Sequence, residues 1–240
     1  MEAYSGVAMQ AYQAVLSQYE IVVADVSHPR RREIEHYISH RYQQAFQATI
    51  CEFMPYLVAL FDDQQALVSV CGYRLAKDEP LFLEQYLSQP AEVLMSTHFQ
   101  QHISRDSLIE FGQLASFSSG MAPVHFSAMI HLLLEQGYHW CIFTATGPLY
   151  AMMNRMGLKP HSLMDADPTY IADADAVWGS YYHSKPRVSA GNLDDGLAMI
   201  NHRISRLNSQ IERRDSLINP LSLQNISLPQ LSLTDVEKRS

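Results

Sequence analysis

Residues 108–137 place the tightest constraint on the fold. Leu108, Ile109, Phe111, Leu114 and Ala115 form a short apolar run of the kind made by a buried strand. Glu110 and Gln113 interrupt it, and a carboxylate in a buried strand is costly unless something satisfies or uses it. Gly112, in the middle, predicts a bulge or a close backbone approach. A Ser/Gly loop then runs straight into a helix. Pro123 suits its first turn, Phe126, Met129, Ile130 and Leu133 give its apolar face, and Gly137 ends it. A small-residue loop opening a helix can hold an anion through its amides and the helix dipole.

The chain around this stretch alternates strand and helix. Residues 20–26 read as a first strand. After Pro29, Ile34, Tyr37, Ile38, Tyr42, Ala45 and Phe46 recur at helical spacing. Arg30, Arg31 and Arg32 crowd the start of that helix, against its dipole; they are either a solvated face or a basic patch for an acidic partner. Residues 56–61 and 66–73 are apolar strands joined by Asp62, Asp63, Gln64 and Gln65, a hairpin. Arg74 stands at the strand end and Glu84 a short loop away, either as a surface ion pair or as a charged clamp for a small zwitterion. Residues 138–145 read as the strand neighbouring Glu110. Pro148 opens a helix with Met152, Met153 and Met156, which serve as adaptable core or line a lipid pocket, and Gly157 closes it. Trp178, Tyr181 and Tyr182 mark an aromatic segment. From Leu193 the pattern becomes a short heptad seam through Leu197, Ile200, Ile204, Leu207 and Ile211. It fits a self-dimerising coil or a helix docked on its own domain. The expected organisation is a domain over residues 1–190, with residues 1–18 helical or loosely attached, an amphipathic helix over 191–218 and a poorly ordered tail over 219–240.

Composition narrows the function. A net charge of -8 argues against nucleic acid, which needs a basic footprint. The N-terminus lacks a basic region followed by an apolar run, and no stretch is long and apolar enough to span a bilayer, so a cytoplasmic protein is expected. Cys51, Cys71 and Cys141 are scattered in apolar surroundings and read as buried thiols in a reducing compartment. His36 and His40, and His98 and His102, have a four-residue spacing that can bind metal, but neither pair sits in a metalloenzyme motif, and no metal is expected.

The strand–loop–helix unit resembles the GNAT superfamily of acyltransferases, in which a bulged strand leads to a loop of pattern Arg/Gln-x-x-Gly-x-Gly/Ala. Phe117-Ser-Ser-Gly120-Met121-Ala122 matches at Gly120 and Ala122 and departs at Phe117; Pro123 removes one amide. The element order is similar to GNAT throughout, and more closely to the acyl-homoserine-lactone and N-acyl amino acid synthases. Their Gly-x-x-Arg-Leu, Leu-rich and Glu-x-x-Arg-x-Ala stretches correspond to Gly72-Tyr-Arg74-Leu75, residues 81–87 and Glu110-Phe-Gly-Gln113-Leu-Ala115. With Phe143-Thr-Ala-Thr146 and Trp178-Gly-Ser-Tyr-Tyr182, the chain is identified as a member of the thermostable hemolysin family over roughly residues 20–190.

The resemblance implies an α/β, GNAT-like mixed sheet flanked by helices, with a C-terminal amphipathic helix. It implies an N-acyltransferase that moves a fatty acyl group from an acyl thioester to the amine of an amino-acid-like acceptor. The donor is either acyl carrier protein, through its phosphopantetheine, or coenzyme A. Phe117 and Pro123 weaken the pyrophosphate nest that only coenzyme A needs, and Arg30–Arg32 offer a patch for an acidic carrier, so carrier protein is favoured. Glu110 is the base expected to deprotonate the amine. A bulge at Gly112–Leu114 would free amides for the thioester carbonyl. Many GNAT enzymes carry a leaving-group Tyr at the position of Met153; Tyr150, one turn earlier, takes that role here. Donor contacts are expected at Leu114, Ala115, Ser116, Gly120, Met121, Ala122, Thr144 and Thr146, and acceptor contacts at Arg74, Glu84, Gly112 and Gln113. The alternative, suggested by the family name, is a membrane-active protein without enzymatic activity.

Overall fold

The computed structural model describes residues 18–116, 121–203 and 206. The expectations for residues 1–17, for Phe117–Gly120, for the seam at Ile204, Leu207 and Ile211, and for the tail lie outside them. Among the described residues one mixed sheet has the order β1-β2-β3-β4-β5-β7-β6. Its strands are β1 (Glu20–Ala24), β2 (Tyr56–Phe61), β3 (Leu67–Leu75), β4 (Leu108–Ser116), β5 (Trp140–Ala145), β6 (His161–Asp165) and β7 (Arg187–Asn192). All neighbours are antiparallel except β4 and β5. The parallel pair needs a crossover, and the helix after the Ser/Gly loop provides it. This is a mixed α/β sheet flanked by helices, as the sequence predicts.

Alternation along the strands gives the sheet two apolar faces. On one, Leu57, Ala59 and Phe61 meet helix α1 (Arg31–Phe46) through Ile34, Ile38 and Tyr42, spaced four apart. Farther along that face, Leu108, Ile142 and Ala190 meet the short 3-10 turn Phe82–Tyr86, helix α2 (Ala91–Phe99) and helix α5 (Ala174–Trp178). On the other, Ile109, Phe111, Cys141 and Phe143 pack under α3 (Met121–Glu135) and α4 (Gly147–Arg155). A last helix, α6, begins at residue 193. Leu193 and Ile200 are buried in this second core with Leu197 packed beside them, so the first seam positions dock on the chain's own domain, and the packing continues past residue 190.

Two expectations change. Arg31 is not part of a basic patch. It turns inward, and its guanidinium donates to the carbonyls of Ala24, Met54 and Pro55. Arg30 lies over the Phe61 ring, 3.4 Å from its centroid, and is paired with Glu33. One arginine of the three at the helix start thus ties the end of β1 to the segment before β2. The second correction concerns Cys51, which is exposed; Cys71 and Cys141 are buried as expected.

Candidate active site

The site is built where β4 breaks its own regularity. Val70 pairs with Ala115 and Gly72 with Gly112, so two residues of β4, Gln113 and Leu114, stand opposite the single residue Cys71. Gln113 takes a left-handed backbone with φ 54°. This bulge shifts the alternation by one, and Ala115 therefore joins the α1 face rather than the α3 face. The Gln113 side chain secures the segment after α1: its Oε1 accepts from the Met54 amide at 2.9 Å, and its Nε2 donates to the Glu52 carbonyl at 2.7 Å. Met54 thereby lies across the facing glycines. A Cβ on Gly72 would stand 2.6 Å from Met54 Cβ, and one on Gly112 would overlap Met54 Cε. Glycine at both positions is what lets the segment close over the sheet.

β4 and β5 pair only from Leu108/Trp140 to Phe111/Phe143 and then part. A cavity of about 850 Å³ occupies the divergence. Its walls come from both sides of the sheet: Trp178 and Tyr182 from one, Phe126 and Met153 from the other. Glu110, Gly112, Gln113 and Leu114 line it at the crossing point.

Glu110 is 2% exposed. Its carboxylate accepts from the amides of Phe82 at 2.7 Å and Leu83 at 3.2 Å, the first turn of the 3-10 segment after β3. Arg74 stands directly opposite on β3. Burial pushes the Glu110 carboxyl up to about 7, while Arg74 and the two amides hold it from rising further. A carboxyl raised towards neutrality, in the wall of a cavity, is suited to accept a proton and to release it.

The family assignment follows from most of the chain. The thermostable hemolysin family description matches residues 24–197. The chain belongs to that family. No match was found among curated proteins. Solved structures share the fold of this thermostable hemolysin family member at low identity. TofI, in a ternary complex with an inhibitor and MTA, is 13% identical, with TM-score 0.50 over 76% of this chain and 96% of its own. FeeM, an N-acyl amino acid synthase from uncultured soil microbes, is 12% identical, with TM-score 0.50 over 75% of this chain and 94% of its own. The AHL synthase LasI is 11% identical, with TM-score 0.48 over 73% and 90%.

Within this hemolysin-family fold the expected site residues separate. Glu110, Gly112, Gln113, Leu114, Arg74, Thr144 and Thr146 come together around the cavity. Ala115 is in the α1 core, and the Ser116 carbonyl accepts from Arg41 at 2.8 Å. Met121 and Ala122 open α3, while Gly120 lies outside the described residues. Glu84 does not meet Arg74. It accepts from Arg105 at 2.7 and 3.0 Å and from the amides of Leu81 and Ala91. Burial pushes its carboxyl up, but Arg105 and those amides pull it down to about 2, the behaviour of a fixed structural anion. Arg74 instead donates to the Pro80 carbonyl at 3.1 Å and stands 3.6 Å from Glu79. The Tyr150 hydroxyl donates to the Pro160 carbonyl at 3.1 Å and does not line the cavity; Met153 does. His98 stands 3.3 Å from His161 on β6. Among the described residues no three His, Cys, Asp or Glu side chains converge. Burial pushes the Cys71 and Cys141 thiols up to about 12, which leaves neither as a thiolate nucleophile near neutral pH.

Sequence reasoning gave no role to Met54, Arg105, Tyr86 or Tyr182. Arg105 had no motif, and its partners Glu84 and Glu92 are 21 and 13 residues away. The aromatic segment was visible, but its function as cavity wall was not. Gly179 explains part of it: with φ 54°, it lies so close to the Phe46 carbonyl that a Cβ would overlap that oxygen. The Ser180 amide also donates to that carbonyl at 2.8 Å, fixing the ring cluster to the end of α1.

Proposed function

We propose that this protein is an N-acyltransferase that joins an acyl group from a thioester to the amine of an amino-acid-like acceptor, producing an amphiphile. The observation that carries this reading is Glu110: a buried carboxyl, pushed up to about 7 by that burial, at a strand bulge, in the wall of a cavity that passes between two diverging strands. The acceptor's ammonium first releases one proton to water; the neutral amine then attacks the thioester carbonyl and gives a second proton to Glu110, directly or through water. The C–N bond forms, the C–S bond breaks, and Glu110 returns the proton to the departing thiolate. One group thus serves as base and acid, and no contribution from Tyr150 is needed. The β4 backbone from Gly112 onward, past the last pair with β5, is the source of donors for the carbonyl oxygen. FeeM, which has this fold, is an N-acyl amino acid synthase, and this supports an amino-acid-like acceptor.

For the donor, acyl carrier protein remains the proposal over coenzyme A, on Phe117 and Pro123 alone. The arginines at the start of α1 do not add to this, because Arg31 is committed to the core. Purified protein incubated with matched acyl-carrier and acyl-coenzyme A donors and an amino-acid mixture should release thiol and yield an N-acyl product by mass spectrometry. Lysis of cells by purified protein with no thioester present, and no product with either donor, would replace this reading with direct membrane action. Among the described residues no helix is long and apolar enough to cross a membrane.

A further inference from the structure

The cavity contains a hydrogen-bond donor that the proposed chemistry leaves unused. Tyr86 ends the 3-10 turn whose first amides hold Glu110, and Tyr182 follows the Trp178 helix. Their hydroxyls are 2.6 Å apart. Both side chains line the cavity although the residues are only 7% and 8% exposed. Two phenols carry two protons, and one O–H···O bond uses one of them. Whichever hydroxyl donates to the other, a second proton remains, and among the described residues no other partner is seen for either oxygen. A buried donor without an acceptor is costly. Burial first, and then the bond to Tyr182, hold the Tyr86 phenol above its ordinary value, so it remains a donor rather than a phenolate. Arg74 adds a second case on the same side of the sheet: its Nε is buried without a partner, and the residue lines the cavity opposite Glu110.

We infer that the Tyr86–Tyr182 hydroxyl pair, with Arg74 Nε, reads a carboxylate on the acceptor, so that the preferred acceptor is an α-amino acid rather than a simple amine. This rests on the acyl-transfer reading and deepens it. The charges then balance: the acceptor's ammonium faces Glu110, and its carboxylate faces Arg74 and the phenols. The proposed reading places the thioester carbonyl at the β4 backbone, which leaves the phenols to the other substrate. The surrounding wall of Phe46, Phe82 and Trp178 suits an apolar or aromatic side chain.

The test is a binding measurement without any acyl donor, so that a failure of acyl transfer does not enter it. Quenching of tryptophan fluorescence, with Trp140 and Trp178 both in the cavity wall, reports on phenylalanine and on phenethylamine, which lacks only the carboxylate. Wild-type protein should bind phenylalanine roughly tenfold or more tightly than phenethylamine, the effect of hydrogen bonds to a charged group. The double variant Tyr86→Phe/Tyr182→Phe keeps both rings and removes both partners of the pair, an exchange that folded cores tolerate well. It should keep its melting temperature and lose the discrimination; each single variant should fall between. Wild-type protein that binds the two probes equally, or shows no saturable quenching with phenylalanine, overturns the inference. So does a double variant that still discriminates.

Discussion

At the scale of single residues, Glu110 has two tasks that pull in different directions. Its oxygens anchor the Phe82 and Leu83 amides, which calls for an anion, while burial favours the neutral acid. Glu110→Gln keeps the shape and one acceptor oxygen. Turnover should fall by roughly two to four powers of ten, and the rising limb of the pH–rate profile near pH 7 should disappear. Lost amide contact should also cost about 1–2 kcal/mol in urea denaturation at pH 5, where the wild-type carboxyl is mostly protonated. The pH dependence of stability has a definite sign. A carboxyl raised from 4.5 to about 7 in the folded state contributes stability that is full below 4.5 and is lost as pH rises through 7. The wild type should therefore lose about 3 kcal/mol relative to the Gln variant between those limits. A flat difference across that range would show an ordinary carboxyl. Glu84 works in the opposite direction and lower down: its contribution is present above 4.5 and is lost as pH falls towards 2.

At the scale of elements, β4 shows what could be read from sequence and what could not. A glycine and two polar residues inside an apolar run announced a bulge beside a buried carboxylate, and both are present. The identity of Gln113's partners was not legible, because Glu52 and Met54 are about sixty residues away and belong to a segment without periodicity. Glu84 was misplaced for a related reason. Proximity in sequence to Arg74 suggested a pair, whereas Arg105, delivered by the approach to β4, takes both its oxygens. The glycine pair offers a graded test. Gly72→Ala drives a methyl against Met54 Cβ and Cγ, near the backbone, and should destabilise by about 1–3 kcal/mol in chemical denaturation. Gly112→Ala meets the mobile Met54 methyl group, so its stability should change less and its activity more, because Met54 must swing into the cavity. Equal losses of stability would mean that the segment over the glycines is not held as described.

At the scale of the whole molecule, the order was readable for the elements that carry their own periodicity or stop residue, from β1 through α4, whereas α2, β6 and β7, which are short and without a clear period, were not. The docking of α6 was left open, since a heptad seam serves a dimer and an intramolecular core alike. Leu193 and Ile200, each 2% exposed, decide it for the described part of the helix. Leu193→Ala and Ile200→Ala should each cost about 2–5 kcal/mol, read as a fall in melting temperature at any protein concentration. A concentration-dependent loss would point to a dimer seam instead. His125 adds an acid limit: fully buried, its imidazole is pushed down to about 3 by loss of solvent. Stability from that side chain is present above 6.5 and is lost as pH falls towards 3, and His125→Gln should flatten the acid limb of a thermal-melt series. The parting of β4 and β5 has a kinetic meaning as well. A sheet normally separates what lies on its two sides, and here one cavity is walled from both. On the proposed reading, two reactants occupy it together and exchange the acyl group directly, with no protein thiolate to carry it in between. Initial velocities measured at several fixed acceptor concentrations should therefore give intersecting double-reciprocal lines, the mark of a ternary complex. Parallel lines would require a covalent stop along the way.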